Sequence, residues 1–215
     1  MPDLDDMAAS RGAQAPRRLS TPNQNWDANR TYRQLVILIS FSDLNFQGEN
    51  PREDYDKMLN EPGYNKRNGA GCMAEYFQVQ SGGLFNLQFD VYGPYQIDYK
   101  AQPYSSPNED TRNYGRDQMT AATKMFLAEN PDLDFSVYDW NGNGVVNQVI
   151  YVTAGHCGNQ NSEKSYGYIW PNTSTFSTIT TNDGKSIVNY SCSAELWAND
   201  TSCGFGTIAH EYTHS

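Results

Sequence analysis

The chain of 215 residues lacks any hydrophobic run long enough to cross a bilayer as a helix. Such a span needs roughly 18 consecutive apolar residues, whereas the longest apolar stretch, LVILISF at 35–41, has the length of a strand. Basic residues are scarce too. Fifteen lysines and arginines stand against 25 aspartates and glutamates, a formal net charge of −10. That balance excludes a bare phosphate backbone as a partner, because nucleic-acid binding relies on Lys and Arg displacing counterions. The N-terminal segment MPDLDDMAASRGAQAPRRLSTPNQNWD is polar and rich in Pro, Ala and Ser, without the apolar centre of a secretory signal peptide. No Gly-x-Ser-x-Gly elbow occurs, and the Gly-His-Cys stretch at 155–157 lacks the surroundings of a cysteine-protease nucleophile.

Cysteine is sparse: Cys72, Cys157, Cys192 and Cys203. Cys192 and Cys203 lie in a Ser/Gly/Asn-rich segment where a disulfide could staple a short loop, and buried free thiols are the alternative. What the chain does have is 38% hydrophobic residues and 13% aromatics, enough for a substantial core in one large domain or two lobes.

Residues 1–30 read as a disordered arm or linker, and the folded part, 31–215, opens near Tyr32 with RQLVILISFSD, a β-branched run expected as a fully buried strand. GCMAEYFQVQSGG at 71–83 puts Met73, Tyr76, Phe77 and Gln80 at helical spacing and stops on two glycines. LFNLQFDVYGP then alternates Phe85, Leu87, Phe89 and Val91 with polar partners, the period of a half-buried strand. After a Pro/Ser/Asn loop at 98–114, GRDQMTAATKMFLAENPD predicts a second helix ended by Pro131. VVNQVIYVTAG at 145–155 predicts another core strand, and 156–204 is mostly Ser, Thr, Asn and Gly, with strand-like pieces at 168–170 and 187–190. Interleaved strands and helices imply a mixed sheet with helices packed on it.

The last stretch, TIAHEYTHS at 207–215, carries the sharpest signal. His210 and His214 stand at i and i+4, which on a helix puts both imidazoles on one face within reach of a single Zn²⁺. At 100° per residue Phe205, Ile208, Ala209 and Tyr212 fall within a sector of about 100°, opposite the histidines, so the helix buries one face and offers the other. Glu211 lies on the flank, placed to take a proton from water without ligating the metal. With only three histidines in the chain, His-Glu-x-x-His arises by chance roughly once in several hundred such sequences, so the bland alternative, a solvated polar face, is the weaker one.

Four stretches, GCMAEYFQVQSGGLFNLQFDVYGPY (71–95), DWNGNGVVNQVIYVTAG (139–155), YIWP (168–171) and TIAHEYTHS (207–215), together resemble the M6 family of metallopeptidases, the immune inhibitor A group of secreted bacterial enzymes. The resemblance runs from about Tyr32 to the C-terminus. It implies an α+β, zincin-like fold: a mixed twisted sheet with packed helices, a C-terminal active-site helix, and a cleft between an upper and a lower lobe. It further implies a zinc-dependent endopeptidase acting on proteins or peptides, secreted, with His210 and His214 as zinc ligands and Glu211 as general base. Family members continue past the second histidine with a segment such as LGLPD, which brings a third ligand and the lower lobe. The expectation is therefore an N-terminal lobe, incomplete at its C-terminus and inactive by itself. The rival expectation is a truncated or degenerate, non-catalytic binding module stabilised by calcium.

The calcium reading comes from DWNGNGVVN, where Asp139, Asn141 and Asn143 alternate ahead of Gly144 like the first half of a calcium loop. The twelfth position is Ile150, which excludes an EF-hand and leaves either a less acidic Ca²⁺ loop or a plain Asx/Gly turn. His156 and Cys157 follow strand-like VTAG, where adjacent side chains point to opposite faces, so joint ligation is disfavoured against a loop position near the cleft. Trp170 reads as a structural aromatic packed by Pro171, with substrate contact as the minor alternative.

Overall fold

The computed structural model describes residues 26–66, 70–102, 112–160 and 162–214. Most of the arm expected over 1–30 therefore lies outside the described residues. Its last part packs on the domain: the Trp26 ring stacks on Tyr32 at 4.7 Å, and Arg30 sits over the same Tyr32 ring.

Five strands form one sheet in the order β2-β1-β3-β5-β4: β1 (Thr31–Phe41), β2 (Asn86–Ile97), β3 (Val149–His156), β4 (Asn172–Thr180) and β5 (Ser186–Leu196). The pairs β1–β2, β1–β3 and β3–β5 are parallel, and only β4 runs antiparallel, against β5. Parallel strands covered on both faces need continuous apolar sequence rather than alternation. That is why Leu35–Phe41 is buried throughout, and β3 likewise up to its last residue. β2 lies at one edge, buries Leu87, Phe89 and Val91 and turns the intervening residues outward. Its kink at Gly93 has φ +89°, and a Cβ there would sit 2.7 Å from the Leu38 carbonyl oxygen, so only glycine fits.

Among the described residues, four α-helices cover the sheet. The helices α1 (Pro51–Asn60) and α2 (Met73–Gln80) pack on β2, α3 (Arg112–Glu129) packs on β1, β2 and β4, and α4 (Gly206–Tyr212) packs on β5 and β4. α1 has Pro51 in its first turn with Glu53 and Asp54, the residues that suit a helix start. α2 is closed by a capping box: the Cys72 sulfur accepts from the Glu75 N–H while the Glu75 carboxylate accepts from the Cys72 N–H at 3.0 Å. α3 drives Met119, Ala122 and Phe126 into the core, and its Thr123 hydroxyl meets the buried Tyr151 hydroxyl at 2.7 Å. No helix among the described residues is long and apolar enough to cross a membrane.

Two local expectations are corrected. Residues 168–170 are not strand; the strand starts after Pro171, at Asn172, and runs through the Thr/Ser-rich sequence to Thr180. Trp170 is 57% exposed and is not packed as a structural aromatic. Its main-chain carbonyl, not its ring, does the local work, accepting from Asn172 Nδ2 at 2.7 Å.

Candidate metal centre

α4 is short, and short helices do not hold themselves together in water. It has no side-chain N-cap, and burial supplies what propensity does not. Ile208, Ala209 and Tyr212 are buried, and the Tyr212 ring meets Phe77 of α2 edge-on at 5.5 Å. Phe205, just ahead of the helix, leans on Tyr76. The apolar face expected from the 100° spacing is the face that is buried, and His210 and His214 lie on the exposed side.

His214 falls just beyond the helix, in a turn held by its own N–H to the Glu211 carbonyl at 3.2 Å and by the Thr213 N–H to the Ala209 carbonyl at 3.1 Å. The turn brings the two imidazoles together: Nε2 of His210 and Nε2 of His214 are 3.1 Å apart, and the rings are nearly perpendicular, with centroids at 4.7 Å. Two nitrogens each about 2.0–2.1 Å from one Zn²⁺ can have this separation, so the donor pair fits the metal. Among the described residues no group of three His, Cys, Asp or Glu side chains is gathered for a metal. The pair thus offers two donors, not a complete set.

Glu211 is half-buried beside the pair. Burial pushes its carboxyl above the usual carboxylate range, and the two histidines pull it back in part. A carboxylate raised in this way is better matched to proton transfer near neutral pH than an exposed one. The Glu211 main chain is fixed from the sheet side, where its carbonyl accepts from the Thr173 hydroxyl at the start of β4. Thr173 belongs to the site by position, and 38 residues of separation gave no local signal for it.

The other candidate positions resolve as follows. The Asp139 carboxylate is buried and already engaged: it accepts from the N–H groups of Asn143 at 3.0 Å and Gly144 at 2.8 Å, with the Lys185 ammonium 3.3 Å away. Asn141 Oδ1 accepts from the Asn143 N–H, and Asn143 Oδ1 from the Val145 N–H. Side-chain oxygens accepting main-chain N–H groups two to five residues on, beside a lysine, are the pattern of an Asx/Gly turn. His156 turns to Asp200, with Nε2 2.8 Å from Oδ1, and Cys157 turns the other way, to Cys203. The expected Cys192–Cys203 staple is not formed: all four cysteines are free, and the Cys192 sulfur lies against Asn172 Nδ2 at 3.3 Å.

No protein-family model matches the chain, and no curated protein matches it.

Proposed function

We propose that this chain supplies the metal-binding helix and the sheet of a zinc-dependent endopeptidase of the M6, immune inhibitor A-like kind. The observation that carries the reading is the convergence of His210 Nε2 and His214 Nε2 to 3.1 Å on the exposed side of α4, with Glu211 half-buried on its flank. Zinc, when bound, supplies Lewis-acid polarisation of a peptide carbonyl. His210 and His214 hold it, and Glu211 takes the proton of the attacking water and hands it to the leaving amine.

The sheet supports a peptide as substrate. Among the described residues β4 is an edge strand that touches α4 and pairs with β5 alone, so one row of its backbone groups is open to a chain laid alongside in extended form. A catalytic zinc takes three protein ligands and water, so in this reading the third ligand comes from outside the described residues. Secretion belongs to the same reading and rests on the resemblance.

The test compares zinc content and casein hydrolysis of a C-terminally longer form with its Glu211→Ala and His210→Ala variants. Glu211→Ala is expected to keep its zinc and lose hydrolysis, and His210→Ala to lose both. Hydrolysis retained by Glu211→Ala, or zinc retained by His210→Ala, sinks the assignment.

A further inference from the structure

We propose that Cys157 and Cys203 form a disulfide by exchange with a low-molecular-weight disulfide such as oxidised glutathione. Their sulfurs are 3.2 Å apart in the reduced protein, about 1.2 Å beyond the length of the bond itself. The approach is set by the main chain rather than by free side chains. The Cys157 N–H donates to the Leu196 carbonyl and the Cys203 N–H to the Glu195 carbonyl, both at 2.8 Å, so consecutive carbonyls at the end of β5 hold the two segments. Ahead of Cys157, Gly155 has φ +85°, and a Cβ there would lie 2.5 Å from Leu44 and 2.8 Å from Tyr168, so the chain leaving β3 has one course.

The two sulfurs and Ala194 form a small buried cluster apart from the main core, with Trp197 packed against it. The other cysteines have different contacts: Cys72 caps α2, and Cys192 meets Asn172 and the Trp170 carbonyl. Two buried thiols in contact are placed for thiol–disulfide exchange.

The order of attack follows from exposure. Cys203 lines a surface cavity of about 390 Å³ with Met58, Tyr64, Trp197 and Phe205, whereas Cys157 is fully buried behind it. The Cys203 thiolate attacks one sulfur of the oxidant, the S–S bond of the oxidant breaks, and one thiolate leaves with the proton that Cys203 gave up. Cys157 then attacks the Cys203 sulfur, the mixed disulfide breaks, and the second small thiol leaves with the Cys157 proton. Two protein thiols are oxidised and one small disulfide is reduced to two thiols. Contact with Cys157 and burial both raise the Cys203 thiol above its ordinary range, so the exchange is slow near neutral pH and quickens as pH rises.

The bond closes a loop of roughly 45 residues containing β4 and β5, and it anchors the segment that enters α4. This proposal does not rest on the peptidase reading, and its readouts are mass and melting, not hydrolysis.

The experiment incubates the full chain with a glutathione redox couple at mildly alkaline pH, then maps thiols and cross-linked peptides under non-reducing conditions. Expected are two remaining free thiols, at Cys72 and Cys192, one cross-linked peptide joining Cys157 to Cys203, and a rise in Tm on the order of 10 °C that dithiothreitol reverses. Cys192→Ser keeps the cross-link, and Cys203→Ser abolishes it. Four free thiols after that treatment, or a link that uses Cys72 or Cys192, overturns the proposal. Both outcomes are read on the unmutated chain, so a variant that fails to fold leaves the test intact.

Discussion

The Thr173 hydroxyl donates to the main-chain carbonyl of Glu211, so the edge strand β4 grips the last turn of the helix that carries the two histidines. Carbonyls in a helix's last turn have no partner within the helix, and this one accepts from the sheet as well as from the His214 N–H in the turn beyond.

Thr173→Val keeps the shape and removes that donor. It is expected to cost about 1 kcal/mol and to lower Tm by roughly 2–4 °C. Zinc affinity should fall with it, because the orientation of the turn bearing His214 depends on the Glu211 carbonyl. Differential scanning fluorimetry and a zinc titration check the two effects. An unchanged Tm shows that the contact contributes nothing.

The Glu75 carboxylate accepts from the N–H groups of Cys72 and Gly63, and those bonds hold its carboxyl below the usual range. A depressed folded-state pKa gives stability that is present above the unfolded value and lost as pH falls through the folded one. The wild type is therefore expected to lead Glu75→Gln in Tm at pH 6, and the lead is expected to close as pH drops below about 4.5. A lead that stays constant from pH 6 to pH 3 assigns the difference to something other than the charge.

Asp139 offers its carboxylate to two N–H groups and a lysine. Millimolar Ca²⁺ is expected to leave Tm unchanged in a His210→Ala/His214→Ala background, where metal binding at the histidines does not contribute. Asp139→Ala should cost about 1–3 kcal/mol by taking from the Gly144 N–H its carboxylate partner and leaving the Asn143 N–H only Asn141 Oδ1. A calcium-dependent rise in Tm in that background restores the calcium loop as the better account.

How far the fold could be read from sequence varies element by element, and burial explains the difference. β1 and β3 are legible because strands buried on both faces must be written as unbroken apolar runs. β2 is legible through its alternation, and the exposed side of α4 through the i, i+4 spacing of His210 and His214. β4 is obscure because an edge strand with one buried apolar side chain, Phe176, needs no apolar pattern, and its Thr/Ser run reads as loop. α1 carries its signals in Pro51, Glu53 and Asp54 but buries only Tyr55, Met58 and Leu59, too few to set up a helical period. The pairing of Cys203 with Cys157 rather than Cys192 depends on how β3 and β5 lie side by side, which spacing along the chain does not encode.

The last prediction concerns metal binding by the 215 residues themselves. His210 and His214 bring two nitrogens together, and no third His, Cys, Asp or Glu joins them among the described residues. A two-imidazole site should bind Zn²⁺ with a dissociation constant on the order of micromolar or weaker, because structural and catalytic zinc sites reach high affinity with three or four protein ligands. His214 stands beyond the helix, its N–H held at 3.2 Å by the Glu211 carbonyl, so the second donor comes from a turn rather than from the helix itself. Casein hydrolysis by this chain should accordingly be negligible, and the residual zinc binding should vanish in His210→Ala while surviving in Glu211→Ala, which removes no ligand. Isothermal titration with Zn²⁺ and a casein assay, both on the purified chain, give the answer together. Tight stoichiometric zinc with hydrolysis that EDTA abolishes means that a side chain within these residues completes the site, and the two-ligand account fails.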